Sequence, residues 1–83
     1  MLLDGVYECQ IHAVAAVAGV SNQLMYWLMF MDGSMVFVKY AMMAEIAQHF
    51  GVDIHDPETL TTLHGRQLRF VVENKLLTVL LGA

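Results

Sequence analysis

The stretch LMYWLMFMDGSMVFVKY, residues 24–40, decides the fold of this 83-residue chain. Two apolar runs flank Asp32-Gly33, and an Asp-Gly pair between runs of strand-forming residues is a strong signal for a β-hairpin. A two-residue type I′ turn needs a positive φ at both central positions, which Asp and Gly tolerate. The stretch therefore predicts two antiparallel strands joined at Asp32-Gly33.

This turn also predicts which side chains point outward. A two-residue turn places Phe30 opposite Met35, and opposed residues share a face of the sheet. Because β-branched pairs suit a core, we assign the face that holds Trp27 and the valines of the second run to the interior. The other face offers aromatic rings beside a cation, as base stacking and phosphate contact require. The predicted outer binding residues are Tyr26, Phe30, Phe37 and Lys39. The alternative is that this face, which also holds Leu28, is core or a seam between copies.

The segment before the hairpin predicts the first strand. Gly5 to His12 alternates, with Tyr7, Cys9 and Ile11 as its apolar set. Ala13 to Val20 is ambiguous between helix and strand. We interpret it as the end of this strand plus a loop that closes at Ser21-Asn22.

The segment after the hairpin has apolar residues at the spacing of a helix. Apolar residues at 43, 46, 47 and 50 form one stripe and predict a helix near residues 42 to 50, ended by Gly51. Asp56-Pro57-Glu58 predicts an N-cap, a proline at the first helical position and an acidic first turn. This short helical segment should stop at Gly65. Residues 67–73 and 76–81 predict two last strands, joined at Asn74-Lys75.

These elements predict one mainly β domain over residues 1–83, with the order β-β-β-α-β-β. Five strands with a single helix between the third and fourth are typical of an OB-like barrel. An SH3-like barrel is the competing architecture, although it does not need the amphipathic segment. Arg69 alternates with Leu68 and Phe70 on the fourth strand, where it either extends a nucleic-acid track or solubilises an outer face.

Several segments resemble a family of phage proteins of uncertain function. They are Gly5-Val6-Tyr7, the Asp-Gly hairpin, Ala44-Glu45-Ile46-Ala47 with Gly51-Val52, and Leu63-His64-Gly65-Arg66 leading into residues 68–72. The resemblance implies likeness to single-stranded DNA-binding proteins of the OB-fold. This chain departs from the family in being acidic and rich in methionine.

Composition bears on partners. The chain is 58% hydrophobic and only 14% charged, where about 25% charged is usual. A domain of this size cannot bury so much apolar surface, so we expect a homo-oligomer. The formal net charge of −4 disfavours strong phosphate binding. No apolar run reaches membrane-spanning length, no basic segment precedes Asp4, and Cys9 is the one cysteine, so we expect a cytoplasmic protein.

No catalytic motif is visible, so we expect no enzymatic activity, cofactor or metal. The cluster of Asp53, His55, Asp56 and Glu58 lacks calcium-loop spacing, and His55 has no local partner for a zinc site. Helix capping explains Asp56-Pro57-Glu58. Two hypotheses remain. The first is a small OB-type module that binds single-stranded nucleic acid in a phage or mobile-element context. The second is an acidic, self-associating module that binds a host protein and no nucleic acid.

Overall fold

A computed structural model describes residues 1–18 and 24–82 of the chain. Its strands are β1 (Gly5–Ala18), β2 (Leu24–Phe30), β3 (Met35–Lys39), β4 (Gln67–Glu73) and β5 (Leu76–Gly82). Between β3 and β4 lie helix α1 (Tyr40–Phe50), the short helix α2 (Pro57–Leu60) and a 3₁₀ turn (Thr61–Leu63). The predicted mainly β architecture of five strands is confirmed.

The strands pair in the order β1-β2-β3-β5-β4, and β4 returns to β1, which closes the sheet into a barrel. All pairs are antiparallel except β3 with β5, which pair in parallel at Phe37 and Leu76. The first half of β1 pairs with β4 and the second half with β2. A register shift between Ile11 and Ala13 lies at the point where the partner strand changes. A bulge there bends β1, which lets its two halves pair with different strands.

The first strand is longer than predicted, since β1 continues to Ala18. Its alternation is as expected: Ile11 is fully buried, Tyr7 and Cys9 are half-buried, and the intervening polar side chains are exposed. The loop predicted at Ser21-Asn22 lies outside the described residues.

The barrel encloses one apolar core. Burying each large side chain of this kind contributes about 1.5 to 3 kcal/mol. The rings of Phe30 and Phe70 stack in it with centroids 5.1 Å apart. The core residues are Ile11, Tyr26, Leu28, Phe30, Val36, Val38, Met43, Ile46, Leu63, Leu68, Phe70, Val72 and Leu77.

Helix α1 closes onto this core as its apolar stripe predicts. Met43, Ile46 and Ala47 are buried, and Phe50 is half-buried. Gly51 ends the helix with a left-handed φ of 70°, and the amide of the next residue donates to the Ala47 carbonyl at 2.9 Å. The predicted glycine stop is therefore confirmed.

The predicted cap of α2 is confirmed as well. Asp56 lies at the N-cap, and its Oδ1 accepts a hydrogen bond of 3.0 Å from the Glu58 amide. The turn between β4 and β5 has a positive φ at both Asn74 (52°) and Lys75 (66°). Those values are typical of a type I′ turn, which therefore joins the last two strands.

Candidate interaction surface

The turn between β2 and β3 is not the type I′ turn that the Asp-Gly pair predicts. Within it, Gly33 alone has a positive φ, of 87°. The Gly33 amide donates to the Phe30 carbonyl at 3.0 Å, and the Phe30 amide donates to the Ser34 carbonyl at 2.9 Å. Three residues, Met31 to Gly33, therefore separate the paired ends. This is the three-residue hairpin loop in which a left-handed glycine follows a type I turn.

One extra loop residue shifts the register of the hairpin by one. Met29 pairs with Met35, and Trp27 pairs with Phe37. The predicted pairing of Phe30 with Met35 is wrong. Since side chains alternate along a strand, this shift moves every side chain of β2 to the opposite face from the one predicted.

The assignment of Tyr26 and Phe30 to the outer face is therefore wrong. Tyr26 is 4% exposed and Phe30 is 2% exposed, and both belong to the core. Burial raises the pKa of the Tyr26 hydroxyl, with a smaller contribution from Tyr40. Neither ring is available to a partner in this structure. The placement of Phe37 and Lys39 on the outer face is correct, because both alternate with the buried valines of β3.

The outer surface formed by the second half of β1 together with β2 and β3 is almost entirely apolar. The pairing aligns its side chains in three rows across the strands. All eight apolar members are half-buried, and Lys39 at one end is exposed. We call this surface the Trp27 face. Its residues are Ala13, Ala15 and Val17 of β1, Met25, Trp27 and Met29 of β2, and Met35, Phe37 and Lys39 of β3.

Trp27 and Phe37 form the centre of this face. Their ring centroids are 4.5 Å apart and the rings meet edge to face, with an interplanar angle of 68°. Such a pair contributes about 0.5 to 1.5 kcal/mol beyond the area that it buries. The contact joins the two rings into one aromatic surface on the outside of the barrel. Trp27 is the single tryptophan of the chain and hence a built-in fluorescence probe of the face.

Arg69 does not lie on the Trp27 face. It is on β4, where it pairs across the strands with Glu8 of β1. The five predicted site residues are thus divided: Phe37 and Lys39 share one surface, Arg69 lies on another, and two aromatic rings are internal. Lys39 also borders a cleft of about 560 Å³ between α1 and β5, together with Glu45 and Thr78.

The sequence interpretation missed Trp27, Met25 and Met29 as surface residues. One local signal favours the longer loop. The Asp32 carboxylate accepts hydrogen bonds from both the amide and the hydroxyl of Ser34, and an Asp that bonds the amide two residues on is typical of such turns. These bonds lower the pKa of the Asp32 carboxyl, the hydroxyl bond having the larger effect.

Asp53 and Cys9 are two reactive side chains outside the Trp27 face. Asp53 accepts from the His55 amide at 2.9 Å, which closes the turn that precedes the Asp56 cap of α2. Within residues 1–18 and 24–82, no group of three or more His, Cys, Asp or Glu side chains is arranged to hold a metal ion. Burial, with smaller contributions from Asp32 and Glu8, raises the pKa of the Cys9 thiol, which disfavours the nucleophilic thiolate.

Comparison with known proteins gives no relative for this chain: no family model, no curated protein and no solved structure matches it. In the described part of the chain, no helix is long and apolar enough to cross a membrane.

Proposed function

We propose that this chain is a non-enzymatic, OB-like binding module that binds an apolar surface of a protein partner through the Trp27 face. The observation that carries the proposal is the run of eight apolar side chains over three adjacent strands, centred on Trp27 and Phe37. Contiguous apolar surface of this kind is typical of interaction sites.

The connectivity supports an OB-like assignment. The barrel order β1-β2-β3-β5-β4, the parallel pairing of β3 with β5 and the helix after β3 fit a five-stranded Greek-key barrel. In that architecture the face of the second and third strands is the usual binding surface. The Trp27 face occupies this position, so fold and surface composition favour the same site.

Charge favours protein over nucleic acid as the ligand. Interfaces with DNA are polar and strongly positive, whereas the cores of protein interfaces are enriched in aromatic residues and methionine. The Trp27 face has one cation, Lys39, and the chain has a net charge of −4. Arg69, the other cation expected to help, lies next to Glu8 on a different part of the barrel.

Single-stranded nucleic acid is the second candidate, because one observation favours it. The Trp27 and Phe37 rings lie on the same face as Lys39, and aromatic platforms near a cation stack bases without sequence preference. A phage or mobile-element role for the module would accompany this candidate. It predicts binding that weakens steeply with salt.

The two candidates are separated by titrations that follow Trp27 emission. The first probe is a set of peptides selected from a random library on the immobilised chain, and the second is labelled oligothymidylate at low and at physiological salt. We expect the selected peptides to be rich in apolar residues and to change Trp27 emission with little dependence on salt. Phe37→Ala should weaken peptide binding by at least ~2 kcal/mol, the loss typical of an aromatic residue at an interface centre.

Val6→Ala is the matched control, because Val6 is 70% exposed and lies outside the Trp27 face, in the half of β1 that pairs with β4. It should leave peptide binding unchanged. Salt-dependent oligonucleotide binding that is weakened by both Phe37→Ala and Lys39→Ala would favour the second candidate instead. If neither probe binds, or if Phe37→Ala leaves peptide binding unchanged, the proposed role of the Trp27 face is refuted.

A further inference from the structure

Three of the seven methionines of the chain lie beside the aromatic centre of the Trp27 face. Met25 and Met29 lie two residues to either side of Trp27 on β2, and therefore on the same side of that strand. Met35 lies two residues before Phe37 on β3. We infer that these three thioethers are an oxidation site, at which a peroxide makes the face polar and releases its partner. The inference rests on the proposed function, to which it adds redox regulation.

The three methionines are open to small oxidants. All of them are half-buried on the outside of the barrel, whereas Met43 is fully buried in the core. A thioether needs no deprotonation before it reacts, because the sulfur lone pair is itself the nucleophile. Peroxide therefore reaches the methionines of the face directly, and it reaches Met43 only when the fold opens. Cys9 differs, because it reacts as the thiolate and burial raises the pKa of its thiol.

The reaction at each methionine is a two-electron oxidation by the peroxide. The sulfur lone pair attacks one peroxide oxygen, the O–O bond breaks, and the S–O bond of the sulfoxide forms. With hydrogen peroxide, the second oxygen leaves as hydroxide, takes up the proton of the first and becomes water. Sulfur is oxidised and the peroxide is reduced. Two classes of methionine sulfoxide reductase, one for each sulfoxide epimer, return the product to the thioether with electrons from a thiol.

Oxidation at these positions changes the chemistry of the binding surface. Each sulfoxide oxygen accepts hydrogen bonds from water, and an apolar partner offers no donor in exchange. Burying such an unpaired acceptor is unfavourable. Met29 and Met35 pair across the strands, so two of the three sulfoxides lie side by side next to Trp27 and Phe37. We therefore expect the oxidised face to bind an apolar peptide at least ~10-fold more weakly.

Methyl NMR of the chain in hydrogen peroxide tests the oxidation site itself. The ¹³C-methyl signals of the thioether and the sulfoxide differ, so the conversion of each methionine can be followed separately. We expect the three methionines of the face to convert at least ~10-fold faster than Met43, while the circular dichroism of the fold is retained. The oxidised chain should also be retained less by a hydrophobic-interaction column. Conversion no faster than that of Met43, or full conversion without loss of retention, would overturn the inference.

These two measurements need no partner, so they separate the inference from the proposed function. An untreated chain that binds no selected peptide would refute the proposed function. The oxidation site would then be judged by the conversion rates and the column retention alone.

Peptide binding before and after peroxide tests the release of the partner. Each chain is compared with its own untreated sample, so the effect of a substitution on binding does not enter. The triple variant Met25→Leu, Met29→Leu, Met35→Leu keeps similar size and apolarity, and peroxide should leave its affinity and its column retention unchanged. Met31→Leu is the matched control, because Met31 is 46% exposed and lies outside the face. It should lose at least ~10-fold in affinity on oxidation, as the wild type does.

Repair of the oxidised wild type provides a second test that needs no variant. Both classes of sulfoxide reductase, supplied with a thiol, should restore peptide binding. The thiol alone reverses a disulfide or sulfenic acid at Cys9 and should restore nothing. Recovery with the thiol alone would overturn the inference, as would a folded triple variant that loses affinity on oxidation as the wild type does.

Discussion

The hairpin offers two phenylalanines on opposite faces, and their truncation to alanine tests the observed register. Phe30 is 2% exposed and stacks on Phe70, so Phe30→Ala removes core contacts and leaves a cavity. Such substitutions cost about 3 to 5 kcal/mol. Phe37 is half-buried on the outer face and loses mainly its contact with Trp27. We expect Phe37→Ala to cost about 1 to 2 kcal/mol.

Urea unfolding followed by far-ultraviolet circular dichroism measures the difference without using Trp27 as the reporter. An 83-residue domain has a free energy of unfolding of about 4 to 12 kcal/mol. With a slope near 1 kcal/mol per molar urea, the two variants should differ by about 2 M in midpoint. If Phe30→Ala does not fold, the Phe30→Leu and Phe37→Leu pair gives the same order with smaller losses. Similar losses at Phe30 and Phe37 would refute the observed register and restore the one that a two-residue turn implies, because that register places both rings on one face.

Three further predictions concern local structure. Gly51 has a φ of 70° and open space where a Cβ would lie, so Gly51→Ala should cost about 1 kcal/mol in thermal unfolding from backbone strain alone, and Gly51→Asn should cost less. Asp56→Ala removes the side-chain cap of α2 and should cost about 1 kcal/mol, whereas Asp56→Ser should retain most of the stability. The Ser34 hydrogen bonds lower the folded pKa of Asp32, so their contribution to stability is present above the unfolded pKa and is lost as pH falls through the folded value. In Ser34→Ala, a carboxyl titration followed by NMR should show the Asp32 pKa moving up toward that of a free aspartate.

Local signals predicted the helical part of the fold correctly, because each is complete within a few residues. The stripe through Met43 and Ile46, the glycine at 51 and the cap at Asp56 each depend on neighbours along the chain. The boundaries of the last two strands also agree closely with β4 and β5. For β4 and β5, the alternation of apolar residues and the turn residues Asn74-Lys75 predict the same strand boundaries.

The candidate site was harder to predict, because the number of residues in the loop decides which side chains of β2 face outward. Residues 24–40 are apolar on both sides of either strand, so the pattern itself does not select the buried face. The buried face of β2 depends on whether the turn has two residues or three. The turn at Asn74-Lys75 has the two positive φ values that Asp32-Gly33 was expected to have. A two-residue turn therefore places Trp27 in the core and Tyr26 on the surface, the reverse of what the structure shows.

The methionine ε-methyl groups provide the most direct test that the Trp27 face is the binding surface. Met25, Met29 and Met35 lie on this face, while Met43 is fully buried in the core. A ¹³C-methyl NMR titration of the wild-type chain with a selected apolar peptide reports on all of them at once. The account predicts that the methyl signals of the three face methionines shift or broaden, while that of Met43 stays in place. Shifts confined to methionines away from the face, with these three unchanged, would contradict it.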